Sequence, residues 1–199
     1  MAYIVAATGN QHKLAEYAKL LADQKIELRS LRDYPNYPEP EENGATFREN
    51  ASIKALSACR YCGVPAFADD SGLEVEALDG RPGIHSSRYA PTDKERIAKL
   101  LKELEGVENR RARFVCVIAI AANGEVIETF EGEVRGTILT APRGENGFGY
   151  DPIFRPDGFD KSFAELTAEE KNRISHRAAA YAKALEFVED EMSILDDEF

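Results

Sequence analysis

Two adjacent carboxylates, Asp69 and Asp70, are followed by a hydroxyl and a glycine in Phe67-Ala-Asp-Asp-Ser-Gly-Leu73. Carboxylate oxygens suit a hard cation such as Mg²⁺ and can take a proton from water. A glycine beside them permits a sharp turn or the close approach of a ligand. The run Val64 to Ala68 reads as a strand, and successive side chains on a strand point to opposite faces. Asp69 and Asp70 are therefore expected to do different jobs, one facing a cleft and the other tying down backbone. The same residues also fit a plain Asx-type turn after a strand end, and the pair alone does not choose between the two.

A second candidate is Thr8-Gly-Asn-Gln-His-Lys13, which follows a short apolar run, Tyr3 to Ala7, and precedes a helical pattern with Leu14, Tyr17, Ala18 and Leu21 on one face. Strand, glycine-containing loop and helix start together offer backbone N–H groups and the positive helix end to a phosphate. Thr8 and Asn10 add polar contacts, and Lys13 reaches an anion as a point charge. The spacing is not that of a Walker A loop. A helix start capped by Thr8 or Asn10 explains the same residues.

Other chemistry-bearing residues are spread along the chain. Glu42 ends an acidic run after a proline-rich loop, and Thr46-Phe-Arg-Glu49 then spells a capping box opening a helix to about Tyr61. On that helix Asn50 and Lys54 share a face with small alanines; Lys54 either snorkels to solvent or points into a pocket. Gly147, Phe148, Gly149, Tyr150 and Asp151 combine close-wrapping backbone with aromatic rings, which suits a flat heterocycle but also a glycine-rich hairpin with aromatic core plugs. Thr167-Ala-Glu-Glu170 is a further capping box, followed by Lys171, Ser175, His176 and Arg177. His176 and Arg177 fall in the first turn of a last helix that Ser175 can cap, where cations oppose the macrodipole. They call for an anion or a carboxylate as partner.

The elements that must position these groups alternate strand and helix. A second strand is expected over Ile26 to Leu31, and a loop with three prolines over Asp33 to Gly44. The turn-rich stretch Leu78 to Tyr89 carries Arg81, His85 and Arg88 on what reads as a binding or merely solvated loop. Thr92-x-x-Glu95 opens a helix burying Ile97, Leu100, Leu101 and Leu104 and stopping at Gly106. Asn123-Gly124 joins a hairpin of Ala112–Ala121 and Glu125–Val134, and Gly136 to Leu139 adds one short strand. The final helix faces Tyr181, Leu185 and Val188 inward, and the acidic end, Glu189 to Phe199, is expected to fray.

With 199 residues, 43% hydrophobic and 31% charged, the chain suits one domain, or two lobes around a cleft, with a real core. A net charge of −11 excludes the basic footprint of a duplex nucleic-acid binder, although a local cationic cluster can still hold a nucleotide. Cys59, Cys62 and Cys116 make an odd count without a disulfide framework, so a reducing compartment is expected, and the lone Cys59-x-x-Cys62 is read as neither a metal nor a redox site. No basic leader precedes the first apolar run, and the longest apolar run, Phe114 to Ala122, is about half of a membrane helix. A cytoplasmic protein without membrane or nucleic-acid partners is expected. A nucleoside triphosphate with Mg²⁺ would use every candidate group: carboxylates for the metal, cations for phosphates, aromatic and polar groups for the base.

In order along the chain stand Thr8-Gly-Asn-x-x-Lys13, Glu42-Asn-Gly-x-Thr-Phe-x-Glu-Asn-Ala-x-x-Lys54 and Ala68-Asp-Asp-Ser-Gly-Leu73. Pro82-Gly-Ile-His-Ser-Ser-Arg-Tyr89, Gly147-Phe-Gly-Tyr-Asp-Pro-Ile-Phe154 and Glu169-Glu-Lys-x-x-Ile-Ser-His-Arg177 follow. In these motifs the chain resembles the inosine triphosphate pyrophosphatase family, hydrolases of non-standard purine nucleotides. The resemblance implies an α/β fold: a long twisted mixed sheet flanked by helices, one domain over residues 1–199 with two lobes around a central substrate cleft. It also implies hydrolysis of ITP, dITP and XTP to monophosphate and pyrophosphate by a Mg²⁺-dependent homodimer. By position, Asp70 corresponds to the catalytic carboxylate, which also touches the metal, and Glu42 to the second metal-linked acid. Thr8, Gly9, Asn10, Gln11, His12 and Lys13 would bind the triphosphate, with Ser71 and catalytic Lys54 near the phosphates. Phe148, Gly149, Tyr150, Asp151, Lys171, His176 and Arg177 would form the base and sugar pocket. A metal-dependent phosphatase of another metabolite and a non-catalytic nucleotide sensor are the competing readings.

Overall fold

Residues 3–20 and 27–196 are described by the computed structural model of the chain. Six strands form one mixed sheet in the order β2-β1-β3-β4-β5-β6. They are β1 (Tyr3–Ala6), β2 (Glu27–Ser30), β3 (Ala66–Val75), β4 (Arg111–Ala122), β5 (Glu125–Ile138) and β6 (Phe154–Pro156). The helices are α1 (Gln11–Leu20), α2 (Phe47–Cys62), α3 (Asp93–Glu103), α4 (Ala168–Ile174) and α5 (His176–Asp196). β1 runs parallel to both β2 and β3, with Ala6 opposite Ser30 on one side and Phe67 on the other. β5 and β6 are antiparallel, Thr137 facing Arg155.

The chain divides into two compact units, the first made of residues 1–70, 117–132 and 177–199, the second of 71–116 and 133–176. In the first unit Tyr17 of α1 packs edge-on against Phe67 of β3, with ring centroids 4.9 Å apart. Ala51, Ala55 and Ala58 of α2 are fully buried there, so small residues let that helix sit close to its neighbours. The core of the second unit gathers Leu73, Val75, Leu100, Leu104, Phe114, Ile153, Phe154 and Phe163. Within it Phe114 lies 4.7 Å from the Phe154 ring and stacks on His176 at 4.8 Å.

Local sequence signals account for many element boundaries. Thr92 and Thr167 complete capping boxes with Glu95 and Glu170. Asn123 and Gly124 both take positive φ (53° and 80°), the backbone that a two-residue hairpin turn needs. Two boundaries differ from expectation. β3 does not end at Ala68 but continues through Asp69, Asp70, Ser71 and Gly72, so the acidic pair stands within a strand and not on a turn. The separate strand expected over Gly136 to Leu139 is the end of β5, and the short β6 was not anticipated. α5 extends to Asp196. Leu21, Ile26 and the last three residues lie outside the described residues.

Candidate active site

β3 presents Asp69 and Asp70 to opposite sides, and each meets its own cations within the first unit. Asp69, whose side chain is wholly buried, accepts Lys13 Nζ at 2.8 Å and lies 3.6 Å from Arg177 Nη2, both at Oδ2. Arg177 also forms an ion pair with Glu16 of α1. Asp70 Oδ1 lies 3.4 Å from Lys54 Nζ, which is 3.6 Å from Glu42 Oε1. Glu42 and Asp70, 28 residues apart in the sequence, therefore converge on one ammonium.

The adjacent aspartates are driven in opposite directions. Burial pushes the Asp69 carboxyl up, but Lys13, Arg177 and Lys54 more than offset it and hold the group well below the usual carboxylate range. Burial also pushes Asp70 up, and there Lys54 and Lys13 do not compensate, while Glu42 adds to the rise. Lys54 is destabilised as a cation by burial, yet Asp70, Asp69 and Glu42 raise its pKa above the ordinary value. Of the two neighbours, Asp69 is thereby held as a counter-ion, and Asp70 is the carboxylate with the greater proton affinity. Asp70 Oδ2 is buried and, among the described residues, has no donor at close hydrogen-bond distance, although the Asn50 side chain favours the ionised carboxyl; a hard cation or a water satisfies such an acceptor.

Glu42 reaches this place because its loop is fastened to α2. Thr46 caps the helix by accepting the Glu49 N–H, and Glu49 Oε2 accepts the Ala45 N–H at 2.6 Å, one residue earlier than a standard box. Asn50 Oδ1 accepts the Gly44 N–H at 2.9 Å. A Cβ at position 44 would lie 2.7 Å from that oxygen, so only glycine lets the loop approach.

The loop before α1 combines cap and candidate ligand site. Thr8 Oγ1 accepts the Asn10 N–H, and Asn10 Oδ1 accepts the N–H groups of His12 and Lys13. These two amides are thus engaged by a side chain, and Gly9, Asn10 and Gln11 are exposed beside them.

In the second unit Asp151 organises the glycine-rich loop. Its Oδ2 accepts the Phe148 N–H at 2.9 Å and Lys171 Nζ at 2.7 Å, and the ammonium stands 4.9 Å from the Phe148 ring centroid. Gly147 has φ 75°, and a Cβ there would fall 2.0 Å from that carboxylate oxygen. Gly149 donates its N–H to Asp93 Oδ2, and Tyr150 donates to the Ser86 carbonyl. Ser86 in turn accepts the Leu73 N–H. Asp93 and Ser86 are supports that the sequence reading did not assign, and Asp69, expected to face a cleft or tie down backbone, meets two side-chain cations.

The predicted site residues thus fall into two groups. Lys13, Glu42, Lys54, Asp70 and Arg177 lie in the first unit with the loop Thr8 to His12. Ser71, Phe148, Gly149, Tyr150, Asp151, Lys171 and His176 lie in the second. His176 and Arg177, neighbours in sequence, have separate settings: the imidazole stacks on Phe114 and the guanidinium pairs with Glu16 and Asp69. Arg81, whose role was open, and Tyr89 both bond Glu103 of α3. Among the described residues, no three His, Cys, Asp or Glu side chains gather as a ready-made metal cage.

The sequence profile of the Ham1 family matches residues 4–187. The chain belongs to the Ham1 family. A relative from Desulfotalea psychrophila, named dITP/XTP pyrophosphatase, is 51% identical over 183 residues, covering 90% of this chain and 82% of its own. One from Geobacillus kaustophilus with the same name is 52% identical over 188 residues and 92% of each chain. The solved HAM1 protein of Coxiella burnetii superposes with a TM-score of 0.88 at 44% identity, over 96% of this chain and 100% of that one. The Staphylococcus aureus Ham1 protein gives 0.86 at 41%, over 95% and 99%. The likeness seen in the sequence motifs is therefore the likeness of a whole Ham1 chain, mixed sheet and flanking helices included.

Proposed function

We propose that this Ham1-family chain hydrolyses non-standard purine nucleoside triphosphates, ITP, dITP, XTP and dXTP, to the monophosphate and pyrophosphate, clearing them from the nucleotide pool. Water attacks the α-phosphorus, a new P–O bond forms, and the bond to the bridging oxygen breaks so that pyrophosphate leaves. Asp70 takes the proton of that water. The observation that carries the reading is the divergence of the adjacent aspartates: the buried Asp70 has raised proton affinity beside Lys54, whereas Asp69 is held ionised by Lys13 and Arg177.

Lys13 and Lys54 neutralise the non-bridging and leaving oxygens, helped by Ser71 and the loop Thr8, Gly9, Asn10, Gln11 and His12. Because Asn10 already engages the amides of His12 and Lys13, those amides serve a phosphate only if Asn10 turns aside. Phe148, Gly149, Tyr150, Asp151, Lys171, His176 and Arg177 recognise base and sugar. A donor to the purine 6-oxo group is left unmatched by an amino group, and such mismatches can cost about 10⁴-fold. Rejection of guanine is assigned to the region of Phe148 to Asp151.

Mg²⁺ fits Glu42 and Asp70 as a substrate-borne ion. Mg²⁺ is commonly held by one or two carboxylates plus substrate phosphates, and the two acids here, with the buried Asp70 Oδ2, offer that partial set. When bound it supplies charge neutralisation at the phosphates. Cys59, Cys62 and Cys116 are not joined in disulfides, which favours a cytoplasmic setting, and among the described residues no helix is long and apolar enough to cross a membrane. A homodimer follows from the family resemblance.

A panel of nucleoside triphosphates with Mg²⁺, scored for pyrophosphate and monophosphate, tests the reading. Pyrophosphate from dITP and XTP, little from dATP or dGTP, and loss of turnover with EDTA are expected. Release of free phosphate would favour a phosphatase, and binding without turnover a sensor.

A further inference from the structure

We propose that Asp69 is a positioning residue for Lys13 of the phosphate site, fixing it together with Arg177 through a single carboxylate oxygen. The inference rests on the pyrophosphatase reading and gives Asp69, which that reading treats only as a counter-ion, a part of its own in the site. Asp69 Oδ2 meets both cations, Lys13 Nζ at 2.8 Å and Arg177 Nη2 at 3.6 Å, and its side chain has no exposure to solvent. Arg177 is held from its other side by Glu16, three residues beyond Lys13 on α1. The four charges therefore join α1, the middle of β3 and the first turn of α5. Lysine is a flexible point charge with large rotamer freedom, and an ammonium anchored before the anion arrives loses less on binding. One oxygen serving two cations also makes them interdependent: an anion that draws Lys13 outward leaves Asp69 more fully to Arg177. Asp69 touches no reacting atom in this account and acts through Lys13.

The test is a double-mutant cycle of Asp69→Asn and Lys13→Met, read by calorimetric binding of inorganic pyrophosphate with Mg²⁺ and by KM and kcat for dITP. Asp69→Asn is expected to weaken pyrophosphate binding and raise KM by about tenfold while kcat falls by less than about threefold. In the Lys13→Met background the same change should alter either by less than about twofold. Equal factors in both backgrounds, or a fall in kcat with KM unchanged, overturn the proposal. If Asp69→Asn alone does not fold, the double variant decides. A folded double variant matching Lys13→Met supports the role, and one that also fails to fold makes Asp69 a strut of the fold and overturns it. Absence of dITP turnover in the wild type defeats the functional reading, yet the pyrophosphate cycle still decides the role of Asp69. A wild type that binds no pyrophosphate overturns it.

Discussion

Replacing Asp70 by Asn should divorce activity from stability. The fold raises the Asp70 pKa, chiefly by burial, so it disfavours the ionised side chain relative to the unfolded chain. That penalty is present above the folded value and is relieved as pH falls through it. Asn keeps the side chain's size and an oxygen for Lys54, 3.4 Å from Oδ1, and removes the disfavoured charge. The unfolding temperature at neutral pH should therefore match or exceed wild type. Loss of a general base costs about 10²–10⁴ in rate, or about 3–5 kcal/mol in the barrier. Pyrophosphate release from saturating dITP and thermal unfolding of the nucleotide-free protein measure the two effects in one buffer. About 1 kcal/mol shifts the midpoint of a domain this size by about 2–4 °C. A fall of more than about 4 °C, or a kcat within about fivefold of wild type, refutes the assignment of Asp70 as a base set in an unfavourable environment.

Lys171→Met leaves the buried Asp151 carboxylate without its ammonium, and breaking such a pair costs about 3–5 kcal/mol. Denaturant unfolding should show that loss, with part of it recovered in Lys171→Met/Asp151→Asn; an unchanged midpoint would contradict the pairing. Gly147→Ala sets a methyl where the Asp151 carboxylate lies, at a φ of 75°, and should raise KM for dITP while costing about 1–3 kcal/mol; a silent substitution would show the loop to be unconstrained. Because the base must be unprotonated, kcat/KM should fall about tenfold per pH unit below the raised Asp70 value. The acidic limb should vanish in Asp70→Asn, and its persistence would place the titration elsewhere.

What the sequence made readable was mostly local. Thr92 and Thr167 announce their helices because cap and acid lie three residues apart, and Asn123-Gly124 announces the hairpin because positive φ is inexpensive there. Of the two basic residues read at the start of α5, Arg177 meets carboxylates, one of the two partner types expected, but which ones was hidden: Glu16 lies 161 residues away. Strand length was equally hidden. Asp-Asp-Ser-Gly looks like a turn by composition, and β3 passes through it because neighbouring strands and paired cations, not propensity, set its extent. Adjacent aspartates on opposite faces followed from strand geometry alone; the opposed directions of their pKa values required the placement of Lys13, Lys54 and Arg177.

Hydrolysis of dITP in ¹⁸O-water, with each product weighed by mass spectrometry, addresses the attack that Asp70 is held to promote. The label is predicted in the nucleoside monophosphate and absent from pyrophosphate. Label in the pyrophosphate would put the attack on the β-phosphorus and contradict the account.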